Sequence, residues 1–174
     1  MTTPKKRGIA DASAMAFFNF ARQYHQAANC VFKEQGAMSD PAHFLYFHTV
    51  ELALKAFLRS HDIQIHRTWR SGRSGHQLAK LYEECRTLGL KIGPDDKFQI
   101  GNIVTNLDRA NEYQGLRYYN PNPSSMALLS WTREVVEHLM QAVEVRLRGM
   151  SKEAPTPAPE EKITLIWGKP KSLK

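Results

Sequence analysis

The segment TREVVEH, residues 132–138, holds two side chains that could act together on a phosphate. Arg133 carries a permanent cation that can bind phosphate oxygens. His138 carries an imidazole whose pKa near neutrality suits it to move a proton. This pair raises the question of whether the chain cleaves RNA.

The spacing of this pair is weak evidence for a catalytic site. With 12 arginines and seven histidines in the chain, a histidine follows an arginine by five to seven places roughly 1.4 times by chance. Three such pairs occur, namely Arg59 with His66, Arg70 with His76, and Arg133 with His138. Five residues turn a helix by about 140°, so His138 would lie on another flank, while Arg133 would neighbour Glu137. We therefore predict that Arg133 is a solvated ion-pair residue rather than part of a nuclease centre.

Four polar residues form one narrow line along the most apolar predicted helix, which begins at Ser39-Asp40-Pro41 and runs to about Ser60. The line consists of His48, Glu51, Lys55 and Arg59, at spacings of three, four and four. It could be the solvent edge of a buried helix, held by an ion pair worth about 0.3–0.5 kcal/mol. Alternatively, it faces a cleft or a partner, where unpaired charges would cost several kcal/mol in desolvation. In the second case the four residues are candidates for ligand binding.

A basic loop is predicted at residues 62–75, which lack helical periodicity and contain glycines and serines. No acidic residue occurs between Ile63 and Tyr82. Arginines in such a loop can bind phosphate and Trp69 can stack on a base, whereas the alternative is a solvated loop of a basic protein. The candidate ligand-binding residues of this segment are Arg67, Trp69, Arg70, Arg73 and His76. For His76 the structural alternative is a residue of the first turn of the next helix.

Arg117 and Tyr118 lie in a turn-rich connection whose two prolines prevent helix continuation. One interpretation is a structural lock, in which packed tyrosines accept a hydrogen bond from Arg117. The other places Arg117 at the border of the same cleft as Glu51 and Lys55. The two interpretations are compatible.

Apolar residues follow helical spacing almost throughout, which predicts an all-α, up-and-down bundle of about five helices. The predicted helices span residues 11–35, 39–60, 75–89, 95–111 and 124–147. Asp11 is the expected N-cap of the first helix and Gly36 its expected end. The organisation is a basic arm at residues 1–10, a helical domain at residues 11–148 and a Pro-rich tail at residues 149–174. In that tail, ITLIW is the only strand-like run.

The net charge of +7 is concentrated in the two tails, so any basic surface on the helical domain must be local. No apolar run approaches the roughly 18 residues of a membrane span, and the N-terminus lacks the apolar segment of a signal peptide. We therefore expect a cytoplasmic protein. Cys30 and Cys85 lack metal-ligand spacing, and we expect no disulfide, metal site or cofactor.

Three segments together resemble the HEPN domain, a helical nucleotide-binding family of higher eukaryotes and prokaryotes. The helix at residues 42–60 matches a His-x-x-Glu-Leu-x-Leu-Lys-Ala-x-Leu pattern through His48, Glu51, Leu52, Leu54, Lys55, Ala56 and Leu58. His76 and Leu78 match a His-x-Leu helix start, and Arg117 and Tyr118 match an Arg-Tyr that often follows the fourth helix. The resemblance covers residues 11–148.

The resemblance implies a domain that binds a nucleotide, RNA or a protein partner, as a homodimer and without an intact catalytic centre. Similar domains are encoded beside minimal nucleotidyltransferases in toxin–antitoxin or phage-defence systems, so a nucleotidyltransferase is an expected partner. In catalytic members, Arg and His from both subunits drive metal-independent attack of a ribose 2′-hydroxyl on the adjacent phosphate. An endoribonuclease that uses Arg133 and His138 is therefore the first alternative. The second is a structural adaptor whose ITLIW segment adds a strand to a partner sheet.

Overall fold

A computed structural model of the chain describes residues 12–36, 39–65, 77–92, 99–111, 116 and 127–153. These ranges contain five α-helices and no β-strand, which confirms the predicted all-α bundle. The helices are α1 (Ala14–Gln35), α2 (Asp40–Arg59), α3 (Leu78–Thr87), α4 (Gln99–Ala110) and α5 (Leu129–Glu153). None of these described helices has the length and apolar character needed to cross a membrane.

The ends of α1 and the start of α2 are set by local capping residues. Ser13 caps α1, because its extended backbone lets its hydroxyl accept a hydrogen bond from the Ala16 amide at 3.1 Å. Asp11 lies outside the described residues, and its prediction as the N-cap is wrong, because Ser13 occupies that position. Gly36 ends α1 at a φ of +76°, which favours glycine, and Ser39 caps α2. Gly36 confirms the predicted end of α1, and Ser39 lies within the predicted start of α2 at Ser39-Asp40-Pro41.

The most apolar helix, α2, is the centre of the bundle and packs against each of the other four helices. Twelve of its 20 residues are buried, and none of residues 42–60 is exposed. Its largest fully buried side chains are Tyr46, Phe47, Leu54 and Leu58. A helix with apolar residues on all sides is stable only when other elements cover it, and α1 provides the most extensive cover.

The start of α3 is capped from another helix rather than by its own sequence. Gln77 occupies the N-cap position but makes no capping hydrogen bond with its side chain. Instead, the two carboxylate oxygens of Asp108 on α4 accept from the amides of Leu78 and Ala79, at 3.2 and 3.3 Å. A carboxylate also stabilises the positive end of a helix, so Asp108 couples α4 to α3.

The limits of α5 differ from the predicted 124–147. The helix begins at Leu129 and continues through Gly149 to Glu153, into the segment predicted to be a Pro-rich linker. The first proline of that segment is Pro155, so residues 149–153 contain no residue that prevents helix continuation. Leu128 lies inside the predicted span but precedes the helix and is 70% exposed, so the predicted start of this helix is wrong.

Candidate functional site

The polar line on α2 is not a solvent-exposed edge. Glu51 is only 3% exposed, and the side chains of His48 and Lys55 are 16% and 18% exposed. The line therefore runs from a half-buried imidazole, across a buried carboxylate, to a half-buried ammonium group. Such charges are stable in a poorly hydrated place only when they are paired.

The carboxylate of Glu51 uses both of its oxygens within this line. Its Oε2 lies 3.4 Å from Nδ1 of His48, and its Oε1 accepts a hydrogen bond from Nζ of Lys55. The spacings i, i+3 and i, i+4 bring these side chains together on one helix face, with the acidic residue before Lys55 in the favourable order. Glu51 thereby fixes the positions of the imidazole and the ammonium group.

Aromatic rings surround His48. The Phe44 and Phe47 rings approach it edge-on, with centroid distances of 4.5 and 5.8 Å. The Tyr24 ring of α1 lies 5.1 Å away in a tilted arrangement. The imidazole is therefore packed against one ring from α1 and two rings from α2, and this packing restricts its rotation.

Arg59, at the far end of the line, has a positioning role. Its Nε donates to the carbonyl of Ala12 at 3.1 Å, and its guanidinium also donates to the carbonyl of Ile63 at 3.5 Å. These bonds tie the segment that precedes α1 to the chain that leaves α2. Arg59 therefore fixes the start of the predicted basic loop beside the basic end of the line.

The remaining candidate ligand-binding residues of the sequence lie outside the described residues. They are Arg67, Trp69, Arg70, Arg73, His76, Arg117 and Tyr118. Their contribution to a site remains a prediction.

The structure places Arg133 and His138 on α5 with both residues exposed. The Arg133 guanidinium lies over the Phe32 ring of α1, 5.1 Å from its centroid. Within the part of the chain that the structure describes, Arg133 makes no ion pair, so the predicted pairing with Glu137 is wrong. An aromatic face on a neighbouring helix competes with the local carboxylate, which the sequence of α5 cannot reveal.

A hydrogen-bonded chain between α1 and α2 was not predicted. The Tyr46 hydroxyl donates to Oδ1 of Asn29 at 2.7 Å, and Nδ2 of Asn29 lies 3.3 Å from Nε2 of His25. Burial raises the pKa of Tyr46 to about 12, so its hydroxyl stays protonated and available as a donor. The sequence signal is a His-x3-Asn pair on one helix face, and this pair is too common to predict a hydrogen-bonded network.

His43 is a second buried histidine that the sequence does not single out. Its Nδ1 lies 3.1 Å from the carbonyl oxygen of Ser39, and its Nε2 lies 3.1 Å from that of Ala127. A neutral imidazole has one N–H, so only the protonated ring can donate to both carbonyls at once. In either state His43 joins the start of α2 to the residues just before α5.

Metal-ligating residues do not cluster in the described ranges, which contain no group of three His, Cys, Asp or Glu side chains suited to a metal. Cys85 is buried, its thiol lies 3.5 Å from the carbonyl oxygen of Leu54, and burial raises the pKa of that thiol. A thiol with a raised pKa is a poor nucleophile, so Cys85 acts as a core residue.

Acidification is expected to destabilise the fold through two half-buried histidines. Burial is the largest cause that lowers the pKa of His25 and of His61 below the usual 6.5. The folded state then binds fewer protons than the unfolded state, so this stability is fully present above about pH 6.5 and is lost as the pH falls. The midpoint temperature of thermal unfolding should decrease as the pH is lowered from about 7.5 to about 5.5. His25→Gln should reduce this decrease. His138→Gln, which changes an exposed histidine, is the matched control. An equal dependence of the midpoint on pH in the two variants would contradict a contribution of His25.

Comparison with known proteins does not assign the chain to a family. No protein-family model, curated protein or solved structure matches it. The HEPN resemblance therefore rests on the motif residues themselves, of which His48, Glu51 and Lys55 lie together on α2.

Proposed function

We propose that the chain is a HEPN-like domain that binds a nucleotide or RNA at the line of His48, Glu51 and Lys55. The observation that carries this proposal is the burial of Glu51 between two basic side chains on the central helix. Replacing a whole buried ion pair by apolar residues is often neutral or stabilising, so stability alone gives no reason for these charges. Charged groups held in a poorly hydrated place are typical of functional sites.

The chemistry of the line suits a phosphate-bearing ligand with an aromatic base. Lys55 supplies a half-buried ammonium group that Glu51 holds in place and that can contact a phosphate oxygen. The half-buried rings of Tyr24 and Phe44, which pack on His48, supply aromatic surface for stacking on a base. Arg59 donates to the carbonyl of Ile63, which lies at the start of the predicted basic loop.

Binding without RNA cleavage is the preferred form of this proposal. Arg133 lies over Phe32, while His138 is five residues further along α5, which is about 140° around the helix. An endoribonuclease that uses these two residues needs a second subunit to complete the pair. It therefore stays an alternative, and so does the adaptor that acts through ITLIW, which lies outside the described residues.

Lys55→Met is expected to weaken binding of a fluorescently labelled single-stranded RNA by about tenfold, the loss of one charge-assisted hydrogen bond. The measurement is fluorescence anisotropy with an oligonucleotide of about 12 residues, repeated with labelled ATP. Lys91→Met removes the same charge from an exposed residue after α3 and is the matched control. Equal affinities of the two variants would contradict a site at Lys55.

As part of the same proposal, the chain forms a homodimer and binds a nucleotidyltransferase in the cytoplasm. The dimer is proposed on the HEPN resemblance, because the catalytic members of that family combine residues from two subunits. We expect light scattering to give a dimer at micromolar concentration, and a monomer would exclude it. A nucleotidyltransferase encoded in the adjacent gene should co-purify with the chain; an adaptor with another partner would not bind it.

A further inference from the structure

Phe20 on α1 lies largely outside the core, and the residue is 57% exposed. Single exposed apolar residues are ordinary on protein surfaces, so exposure alone gives Phe20 no role. Tyr24 follows it by four residues on the same helix, and residues at this spacing are neighbours on one helix face. Phe20 and Tyr24 therefore form a pair of aromatic side chains along one edge of α1.

Two contacts show that this edge of α1 runs antiparallel to the polar line on α2. The Tyr24 ring lies 5.1 Å from the His48 ring. The carbonyl of Ala12 accepts a hydrogen bond from Nε of Arg59 at 3.1 Å. Movement along α2 from His48 to Arg59 thus corresponds to movement back along the chain from Tyr24 to Ala12.

This register places Phe20 beside the charged centre of the line. Phe20 precedes the α1 residue that contacts His48 by one helical turn. Its level on α2 is therefore one turn after His48, between Glu51 and Lys55. The Lys55 ammonium group reaches back to Glu51 and has three N–H donors, so it can also donate to a phosphate oxygen. Since α1 carries no acidic residue before Glu34, the part of α1 beside the line adds no negative charge that would repel an anion.

The spacing of the two aromatic residues suits consecutive bases of a single strand. Four residues advance a helix by about 6 Å, whereas the stacked nucleotides of a duplex advance by about 3.4 Å along one strand. Bases at the larger spacing do not stack on each other, and each can stack on an aromatic ring of the protein instead. A free mononucleotide has one base and can use only one of the rings.

We propose that the site on α2 takes two consecutive nucleotides of single-stranded RNA. One base stacks on Phe20, the next stacks on the rings that pack against His48, and the phosphate between them contacts Lys55. The inference rests on the function proposed above and selects RNA over a free nucleotide as the ligand. Phe20 then determines specificity, because only a ligand with a second base can use it.

The test compares Phe20→Ala with the unmutated full-length chain by fluorescence anisotropy, using labelled single-stranded RNA of about 12 nucleotides and labelled ATP. Phe20→Ala should weaken RNA binding at least about fivefold, the low end for loss of one base–aromatic stack, and leave ATP binding unchanged. Phe20→Trp should retain RNA binding, because an indole ring also stacks on a base. Met15→Ala is the matched control and should leave both affinities unchanged. Met15 is 46% exposed on the same helix, on the side about 180° from Tyr24.

Equal RNA affinities of Phe20→Ala and Met15→Ala would overturn the inference, as would an equal loss of affinity for RNA and ATP. Binding of ATP but not of RNA by the unmutated chain would also overturn it. Light scattering tests another occupant: a lower mass of Phe20→Ala together with lost RNA binding would assign Phe20 to a contact between copies of the chain.

Lys55→Met separates failure of this inference from failure of the proposed function. If Lys55→Met weakens the binding of RNA and ATP while Phe20→Ala weakens neither, only the stacking on Phe20 is wrong. If Lys55→Met weakens neither, the site on α2 is wrong, and the inference fails with it.

Discussion

Glu51→Ala is expected to lower the free energy of unfolding by about 3 kcal/mol, because it leaves two basic groups in a poorly hydrated place without their acceptor. The Glu51 carboxylate is buried, and it binds His48 and Lys55 through different oxygens. An exposed ion pair at the same spacing would lose only a few tenths of a kcal/mol. Urea unfolding of Glu51→Ala measures the difference between these two environments.

A double-mutant cycle with Lys55→Met separates the energy of the pair from the change in helix propensity. The coupling between Glu51 and Lys55 should exceed about 1 kcal/mol. The chain contains a matched control, since Glu144 and Arg148 form an exposed ion pair at the same i, i+4 spacing, 2.7 Å long, on α5. Its cycle should give about 0.3–0.5 kcal/mol. Similar coupling energies for the two pairs would contradict a buried site.

Leu54→Ala is expected to destabilise the fold by about 3 kcal/mol, within the range for a leucine truncated in a core. Leu54 is fully buried on the helix that contacts all four others, and its carbonyl oxygen faces the Cys85 thiol. Because α2 is packed on several sides, the surrounding helices cannot close the cavity that the truncated side chain leaves, and the cavity should lower the free energy of unfolding.

Val145→Ala on α5 is the control for Leu54→Ala. Val145 is 72% exposed, so its truncation removes little buried surface and should cost less than about 0.5 kcal/mol. Both variants are measured by urea unfolding. A loss below about 1 kcal/mol for Leu54→Ala would show that α2 is not the rigid centre of the bundle.

The fold class could be predicted because apolar spacing is a local property of each helix. Apolar residues at helical spacing are buried in α1, for example Phe17 and Phe18, and in α4, for example Ile100 and Leu107. Helix ends that depend on nearby residues could also be predicted, as the end of α1 at Gly36 and the start of α2 at Ser39 show. In each case the signal and its partner lie within one or two helical turns.

Contacts between distant residues could not be predicted, because the sequence gives no register between helices. Asp108 caps α3 from 30 residues away, and His43 contacts a carbonyl 84 residues away. The position of Arg133 over Phe32 has the same origin. Each depends on which helix faces lie together, and several arrangements of five amphipathic helices bury similar apolar area.

The polar line also combines a feature that the sequence could predict with one that it could not. Its four members and their common face followed from helical spacing alone. Whether the line faced solvent did not follow, because that depends on where α1 crosses α2. The Tyr24 ring of α1 covers His48, and this contact, together with the burial of Glu51, favours a site over a solvent edge.

The ring resonances of His48 and His138 test the central proposal most directly. In an NMR titration with single-stranded RNA, ligand at the line on α2 should shift the His48 signals saturably, because His48 contacts Glu51 and the aromatic rings of the site. The signals of His138, exposed on α5, should stay unchanged. Saturable shifts of His138 with His48 unchanged would contradict the proposal and favour a nuclease centre at TREVVEH.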